Sequence, residues 1–485
     1  MAPGRGPRPE PAAGIVVGAK GEQMAQAAAA PSEQQYDYKL GKVIAASSAG
    51  TTIEWYDFYI FASLFTLLGT KFFPPSEDPL LGALGIFALV YVGFLVRPFG
   101  AFFFGRIGDL IGRKVTFLVT ITLMGASTFA IGLLPTYETA GWLAAILLVI
   151  LRMLQGLALG GEYGGAAIYV AEHAPDNARG QHTSWIQMTA TLGLVLALIM
   201  VVGTQTAMGE AAFNDQGWRI PFLLSGVLVL LAIYIRLSLR ETPLYTKIKE
   251  AKQLSVSPIK DAFEGGGGKR MLLVLLGATA GQAVVWYTGQ FYALVFMQTE
   301  LLIEVVPSSV MVGIALLLGT PFFWVFGRLS DRIGRKPIIL SGCLLAALTY
   351  VPIYSAMSAL RDNYVALTAL VFIQMIYVTM VYGPIAAYLV ELFPGNVRYT
   401  SLSIPYHLGN GWFGGGVPLI ATFLVSRLGG GENVVDLQGL FYPIAVALMT
   451  LVVGWFTLKE THHIRIWDEV GGEARPATAE RPASV

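Results

Sequence analysis

"GRIGDLIGRK" occupies Gly105–Lys114 and "GRLSDRIGRK" occupies Gly327–Lys336, 222 residues later, each directly after a long apolar run. A basic decapeptide that recurs in this way marks equivalent positions in two halves of one chain. The surrounding composition says what kind of chain: 55% of the residues are hydrophobic and only 13% are charged, far from an ordinary water-soluble domain. About twelve apolar runs reach the ~20 residues needed to cross a membrane as a helix. The expected fold is therefore an all-α membrane protein, with twelve transmembrane helices in two pseudo-symmetric six-helix bundles.

Charge placement orients it. With the N-terminus inside, 26 of the 32 Lys and Arg residues fall on the cytoplasmic side; Lys71, Arg219, Arg361 and Arg427 fall outside, and Arg97 and Arg152 fall within spans. Both termini are thus expected in the cytoplasm. Residues 1–39, rich in Pro, Ala, Gly and Gln, read as a disordered tail. Residues 240–270 form the longest polar interruption and close on four glycines, as a flexible cytoplasmic linker between bundles at 40–239 and 271–458 does. A second cytoplasmic tail covers 459–485. Basic residues spread over many loops give no nucleic-acid face, and the single cysteine, Cys343, excludes an intramolecular disulfide.

The duplication extends beyond the decapeptides. "AEHAPDNAR" (Ala171–Arg179) and "VELFPGNVR" (Val390–Arg398) match at Glu172/Glu391, Pro175/Pro394, Asn177/Asn396 and Arg179/Arg398. Parallel repeats related by an axis along the membrane normal are a known plan for secondary carriers, with substrate held near the midplane between the halves. Each half then needs its own cytoplasmic hinge. Gly105 and Gly327 permit close helix approach, and Arg113, Lys114, Arg335 and Lys336 supply charge at the membrane surface. Asp109 and Asp331 can pair with a nearby Arg or cap a neighbouring helix N-terminus, contacts that break when the halves rock. Glu172, Arg179, Glu391 and Arg398 are expected to belong to the same gates.

These loops, with "GTTIEWYDFYIF" (Gly50–Phe61), "FLVRPFGAFFFGRIGDLIGRK" (Phe94–Lys114) and "LRMLQGLALGGEYGGAAIYVAEHAP" (Leu151–Pro175), resemble the major facilitator superfamily and its metabolite:proton symporter branch. The resemblance covers roughly 40–460. That branch includes carriers of proline and betaine, α-ketoglutarate, citrate and shikimate. It implies uptake of a small organic metabolite with protons by alternating access, in a bacterial cytoplasmic membrane. The resemblance also gives Arg152 the place of a fourth-span arginine that the superfamily associates with proton coupling.

Charges within spans mark pathways or sites in their own right. Glu54 lies ~18 Å along a helix from Lys42, and Asp57, three residues on, shares its face. Arg97 lies ~12 Å before Gly105, at comparable depth. Glu162 sits in "GGEYGG", where small residues let helices approach. A proton carrier needs a carboxylate whose proton affinity changes between facings. Asp57 with Glu54 is the first choice and Glu162 the second, with Arg152 in support, while Arg97 anchors a substrate carboxylate or holds the acids in check. Tyr56, beside them, is expected to join Arg97 in binding substrate.

The seventh span offers Gln282, Trp286, Tyr287 and Gln290, and the tenth Tyr382, as groups able to orient substrate. His407, in the eleventh, reads as a structural hydrogen-bonding group. The resemblance implies a second cation near the cavity for a dicarboxylate carrier, and the fifth span has none, so Arg97 is expected to face a monocarboxylate or a zwitterion unless Arg152 also reaches the site. No HExxH, GxSxG or Walker sequence is present, so neither enzyme nor ATP-driven pump is expected. No cofactor or metal is expected either. The anticipated partners are a small-molecule metabolite, protons and the lipid bilayer, with the chain acting as a monomer. A proton-independent facilitator or exchanger, and an osmosensing betaine or proline carrier, share the same fold.

Overall fold

The computed structural model describes residues 33–74, 79–237, 241–428 and 437–469. The chain divides into two compact units, 1–42 and 43–485. Of the first, the described residues Glu33–Lys42 form the opening turns of a helix that continues to Ser63. The tail expected over 1–39 lies outside the described residues up to position 32, and 33–39 are helical rather than disordered.

Ten helices among the described residues are long and apolar enough to cross a membrane, and two more complete the pair of bundles. The first bundle comprises α1 (Glu33–Ser63), α2 (Pro79–Leu110), α3 (Arg113–Leu133), α4 (Trp142–His173), α5 (Arg179–Met208) and α6 (Arg219–Leu237). The second comprises α7 (Gly267–Thr299), α8 (Val305–Ile333), α9 (Arg335–Ala359), α10 (Tyr364–Leu392), α11 (Arg398–Leu428) and α12 (Gln438–Thr457). The periphery is apolar, with Leu230, Trp455 and Phe456 exposed, while Glu54, Arg97, Arg152 and Glu162 are buried inside. Side chains are sorted in this way when the solvent is lipid.

Small residues set how closely the helices pack. A Cβ on Gly156 or Gly160 of α4 would lie within 2.2 Å of the Gly93 or Arg97 carbonyl oxygen of α2. The bundles meet along α2 with α11 and α5 with α8. There Gly327 faces the Gly180 backbone, and Gly105 faces Thr400.

Three π-helical turns interrupt the second bundle, at Leu275–Thr279 and Tyr287–Tyr292 of α7 and Gly409–Gly414 of α11. Such turns rotate the following side chains and recur at functional sites. The linker departs from expectation: it holds helices at Pro243–Glu250 and Pro258–Phe263, the first capped by the Thr242 hydroxyl accepting from the Tyr245 N–H. Buried Leu244, Ile248 and Ala262 give it enough apolar contact to fold. The glycines serve as a turn, with φ of 57° at Gly265 and 84° at Gly266.

Candidate substrate and proton site

Arg97 sits between the bundles. It projects from α2, wholly buried, and its Nη1 donates to the Tyr287 hydroxyl of α7 at 3.1 Å. Its Nε and Nη2 have no acceptor among the described residues. Aromatic rings surround it: Trp55 and Phe94 lie 5.6 and 5.8 Å from the guanidinium carbon. Tyr59 of α1 stacks on both Trp55 (5.2 Å) and Trp286 of α7 (5.7 Å), so the wall crosses the bundle interface. Tyr163 of α4 stacks on Tyr406 of α11 at 3.5 Å, and the Tyr406 and Tyr382 hydroxyls are 2.5 Å apart.

The π turns place the expected residues of α7 here. Gln290 Oε1 accepts from Thr191 of α5 at 3.2 Å, while its Nε2 and the Trp286 Nε1 have no acceptor among the described residues. Gln282 pairs with Asn410 across α7 and α11. Both ring nitrogens of buried His407 lack a partner among the described residues, and its ring packs edge-on against the stacked Tyr406 and Tyr163. Tyr56, expected at the substrate, instead has its hydroxyl donating to the Pro221 carbonyl of α6 at 2.9 Å.

The acids separate. Glu162 accepts from Arg236 of α6 by a short ion pair, from Thr51 at 3.3 Å and from Thr120 at 3.1 Å. The Glu54 carboxyl faces that of Glu162 and has no donor among the described residues. Asp57 is buried with no cation against it among the described residues. Arg97 and Arg152 therefore check neither acid. Arg152 donates to Gln155 at 2.7 Å and stacks on Phe58 and Phe61, 4.7 and 4.0 Å from their centroids. Cation–π contact and an amide stand in for a counter-ion there.

At the face that carries the decapeptides the two halves repeat one another. Asp109 accepts from the Tyr399 and Thr400 N–H groups at the start of α11, at 3.2 and 2.9 Å, and from the Thr400 hydroxyl. Asp331 accepts from the Gly180 and Gln181 N–H groups at the start of α5, both at 2.8 Å. Each aspartate thus caps the fifth helix of the opposite half, where free N–H groups favour an anion.

Ion pairs cross in the same way. Glu172 pairs with Arg398 at 3.2 Å and Arg113 at 3.9 Å; Glu391 pairs with Arg179 at 2.8 Å and Arg335 at 2.9 Å. Lys114 donates to the Leu237 carbonyl ending α6, and Lys336 to the Trp455 and Leu458 carbonyls ending α12. Gly112 and Gly334, with φ of 119° and 106°, make the turns that aim these groups.

Sequence reasoning missed four participants. The Lys and Arg count places Arg236 on the loop side, yet it is buried against Glu162. Tyr399 inserts its ring beside Gly108 and Gly165 and donates a short hydrogen bond to the Gly161 carbonyl. Thr242 and Thr461 each donate to Glu172 or Glu391 at 2.6 Å. A signal for the last pair existed: "LRET" (Leu239–Thr242) and "LKET" (Leu458–Thr461) recur at the spacing of Glu172 and Glu391.

Residues 42–466 match the sugar (and other) transporter family. The chain is 34% identical over 434 residues to the proline/betaine transporter of Escherichia coli K12, covering 88% of this chain and 84% of that one. It is 33% identical over 440 residues to the glycine betaine/proline/ectoine/pipecolic acid transporter of Dickeya dadantii, with the same coverage. Among solved structures, the proton:xylose symporter XylE bound to 6-bromo-6-deoxy-D-glucose superposes with a TM-score of 0.68 at 19% identity. That match covers 88% of this chain and 97% of XylE.

Proposed function

Because the chain belongs to the sugar (and other) transporter family of the major facilitator superfamily, we propose that it is a proton-coupled symporter of a small zwitterion of the betaine and proline type. It is a multi-pass membrane transporter and not an enzyme. The observation that carries the substrate reading is the Arg97 guanidinium, with two nitrogens lacking an acceptor, set in an aromatic wall drawn from both bundles. A carboxylate meets the guanidinium by charge-assisted hydrogen bonds. A quaternary or secondary ammonium meets the faces of Trp55, Tyr59 and Trp286 through their ring quadrupoles. A sugar would leave the buried guanidinium without a counter-charge, which a carboxylate supplies.

The decapeptide face lies in the cytoplasm of a bacterial cell in this reading, with both termini there, and a single chain transports. Both faces of the site are closed in this conformation. The Asp109 and Asp331 caps close the decapeptide side, and on the opposite side Trp412 donates to the Leu95 carbonyl at 3.1 Å while the Tyr91 hydroxyl reaches the Trp412 carbonyl at 3.3 Å. Alternating access breaks one set at a time. Buried acids in the first bundle supply the proton site.

Uptake of radiolabelled glycine betaine and proline into proteoliposomes, with and without an inward proton gradient, tests this. Gradient-driven accumulation of either supports the reading. Accumulation that ignores the gradient leaves a facilitator, and transport of neutral sugars in preference to both overturns the substrate assignment.

A further inference from the structure

Two acids and one guanidinium are buried together in the first bundle. Arg236 crosses α1 at Gly50, where a Cβ would lie 2.8 Å from its Nε, and its Nη2 reaches both Glu162 and the Thr51 hydroxyl. Its guanidinium rests 4.2 Å from the Phe117 ring centroid. Glu162 is fully supplied with donors: a cation and Thr51 on one oxygen, Thr120 on the other. Glu54, one turn from Thr51, faces it with two buried oxygens and no donor among the described residues.

With both acids ionised the cluster carries a net negative charge, which burial strongly disfavours unless a proton neutralises it. Donors select the site of that proton: Glu162 keeps the charge, and Glu54 holds the hydrogen. The other titratable groups facing the cluster are Asp57 of α1 and the Tyr399 phenol of α11, with Asp109 and Arg113 beyond the phenol. None of these is a cation touching either acid. Tyr399 therefore stands between the cluster and the decapeptide gate.

We propose that Glu54 and Glu162 form one proton-binding site, in which Arg236 is the positioning residue that keeps the charge on Glu162 and the proton on Glu54. This deepens the symport reading and rests on it. Arg236, rather than Arg97 or Arg152, is then the cation of the coupling machinery. Withdrawal of Tyr399 as the gate opens exposes the pair to water on that side.

The test needs neither substrate nor gradient, so it stands apart from the transport assay: infrared difference spectroscopy of purified protein in lipid counts protonated carboxyls at neutral pH. Glu54→Gln removes one. Glu162→Gln also removes one, although Glu162 itself carries no proton, because Glu54 then ionises against Arg236. Arg236→Gln adds one, as charge balance now requires both acids to be protonated. Glu162→Gln/Arg236→Gln returns the count to that of the wild type, and as a charge-balanced variant it remains informative if Arg236→Gln alone does not fold. Arg236→Lys also keeps the wild-type count. A carboxyl band indifferent to Glu162→Gln, a count in the balanced double variant that differs from wild type, or no band lost in Glu54→Gln, overturns the proposal. If the counts follow the proposal while uptake ignores the proton gradient, the cluster stands and symport falls.

Discussion

Among the described residues at membrane depth, the first bundle is charged and the second is not. Glu54, Asp57, Arg97, Arg152, Glu162 and Arg236 are buried in α1, α2, α4 and α6, whereas α7, α10 and α11 offer Gln282, Gln290, Asn410 and the rings of Trp286, Tyr287, Tyr382 and Tyr406. At the decapeptide face the halves match almost atom for atom. The difference separates two tasks. A rocking motion needs equivalent hinges in both halves, so the duplicated residues there keep equivalent partners. Charge neutralisation needs only one site, so chemistry concentrates in one half while the other shapes a neutral wall.

The sharpest way to break this comparison is to remove the charge that faces the interface. Arg97→Gln is expected to weaken betaine binding by about 100-fold or more, the scale of a lost charge-assisted contact in a buried site. Gln290→Ala, on the opposite wall, should weaken it by about ten-fold. Isothermal titration of detergent-purified protein reads both, and equal losses would erase the asymmetry between the halves.

The gates test the symmetric end. Asp109→Asn and Asp331→Asn each weaken one interbundle helix cap, worth about 1 kcal/mol, or roughly five-fold in the open-to-closed ratio. Distances between spin labels at the exposed Arg106 and Arg332 positions report that population. Similar shifts from the two variants support interchangeable hinges. A shift confined to Asp331→Asn would mean that the tighter Arg335–Asp331 pair, 2.6 Å against 3.8 Å for Arg113–Asp109, makes one gate dominant.

The fold and the gates were legible because they rest on local pattern. Apolar runs, positive loops and matched repeats led to the helices and to Asp109, Asp331, Glu172 and Glu391, and Asp capping is written in the residue type. The centre was less legible, because the partners of a buried charge are chosen by tertiary contact. Glu54 and Asp57 share a helix face by spacing, yet only Glu54 meets Glu162. Arg236 reads as a loop charge because it lies in the last turn of α6, and only its side chain, passing over Gly50, reaches the interior. The π turns that aim Tyr287 and Asn410 leave no mark in composition.

An effect of similar size probes the aromatic wall. Trp286→Leu keeps apolar bulk but removes the ring shared with Tyr59, and should cost about 1 kcal/mol of betaine affinity, roughly five-fold, by loss of cation–π contact. Trp286→Phe should recover part of it. A ligand lacking a positive charge should not distinguish Trp286→Leu from Trp286→Phe, and if it does, the ring serves packing rather than recognition.

The smallest expected effect separates the matched residues Glu241 and Glu460. Glu460 accepts from the Arg335 and Lys336 N–H groups at 2.8 and 3.0 Å, whereas Glu241 accepts from the Lys114 N–H at 3.3 Å. Burial alone would raise the Glu460 carboxyl, but the backbone N–H groups of Arg335, Thr461, His462 and Lys336 outweigh it and hold it below its ordinary value. A carboxyl lowered on folding stabilises the fold above its unfolded value, and that contribution is lost as pH falls through the lower folded value. Glu460→Gln should therefore reduce the melting temperature at neutral pH by about 1–2 °C, and the gap from wild type should close as pH drops below about 4. A gap independent of pH would assign the loss to shape rather than charge, and an equal gap in Glu241→Gln would extend the symmetry of the gates to their outer caps.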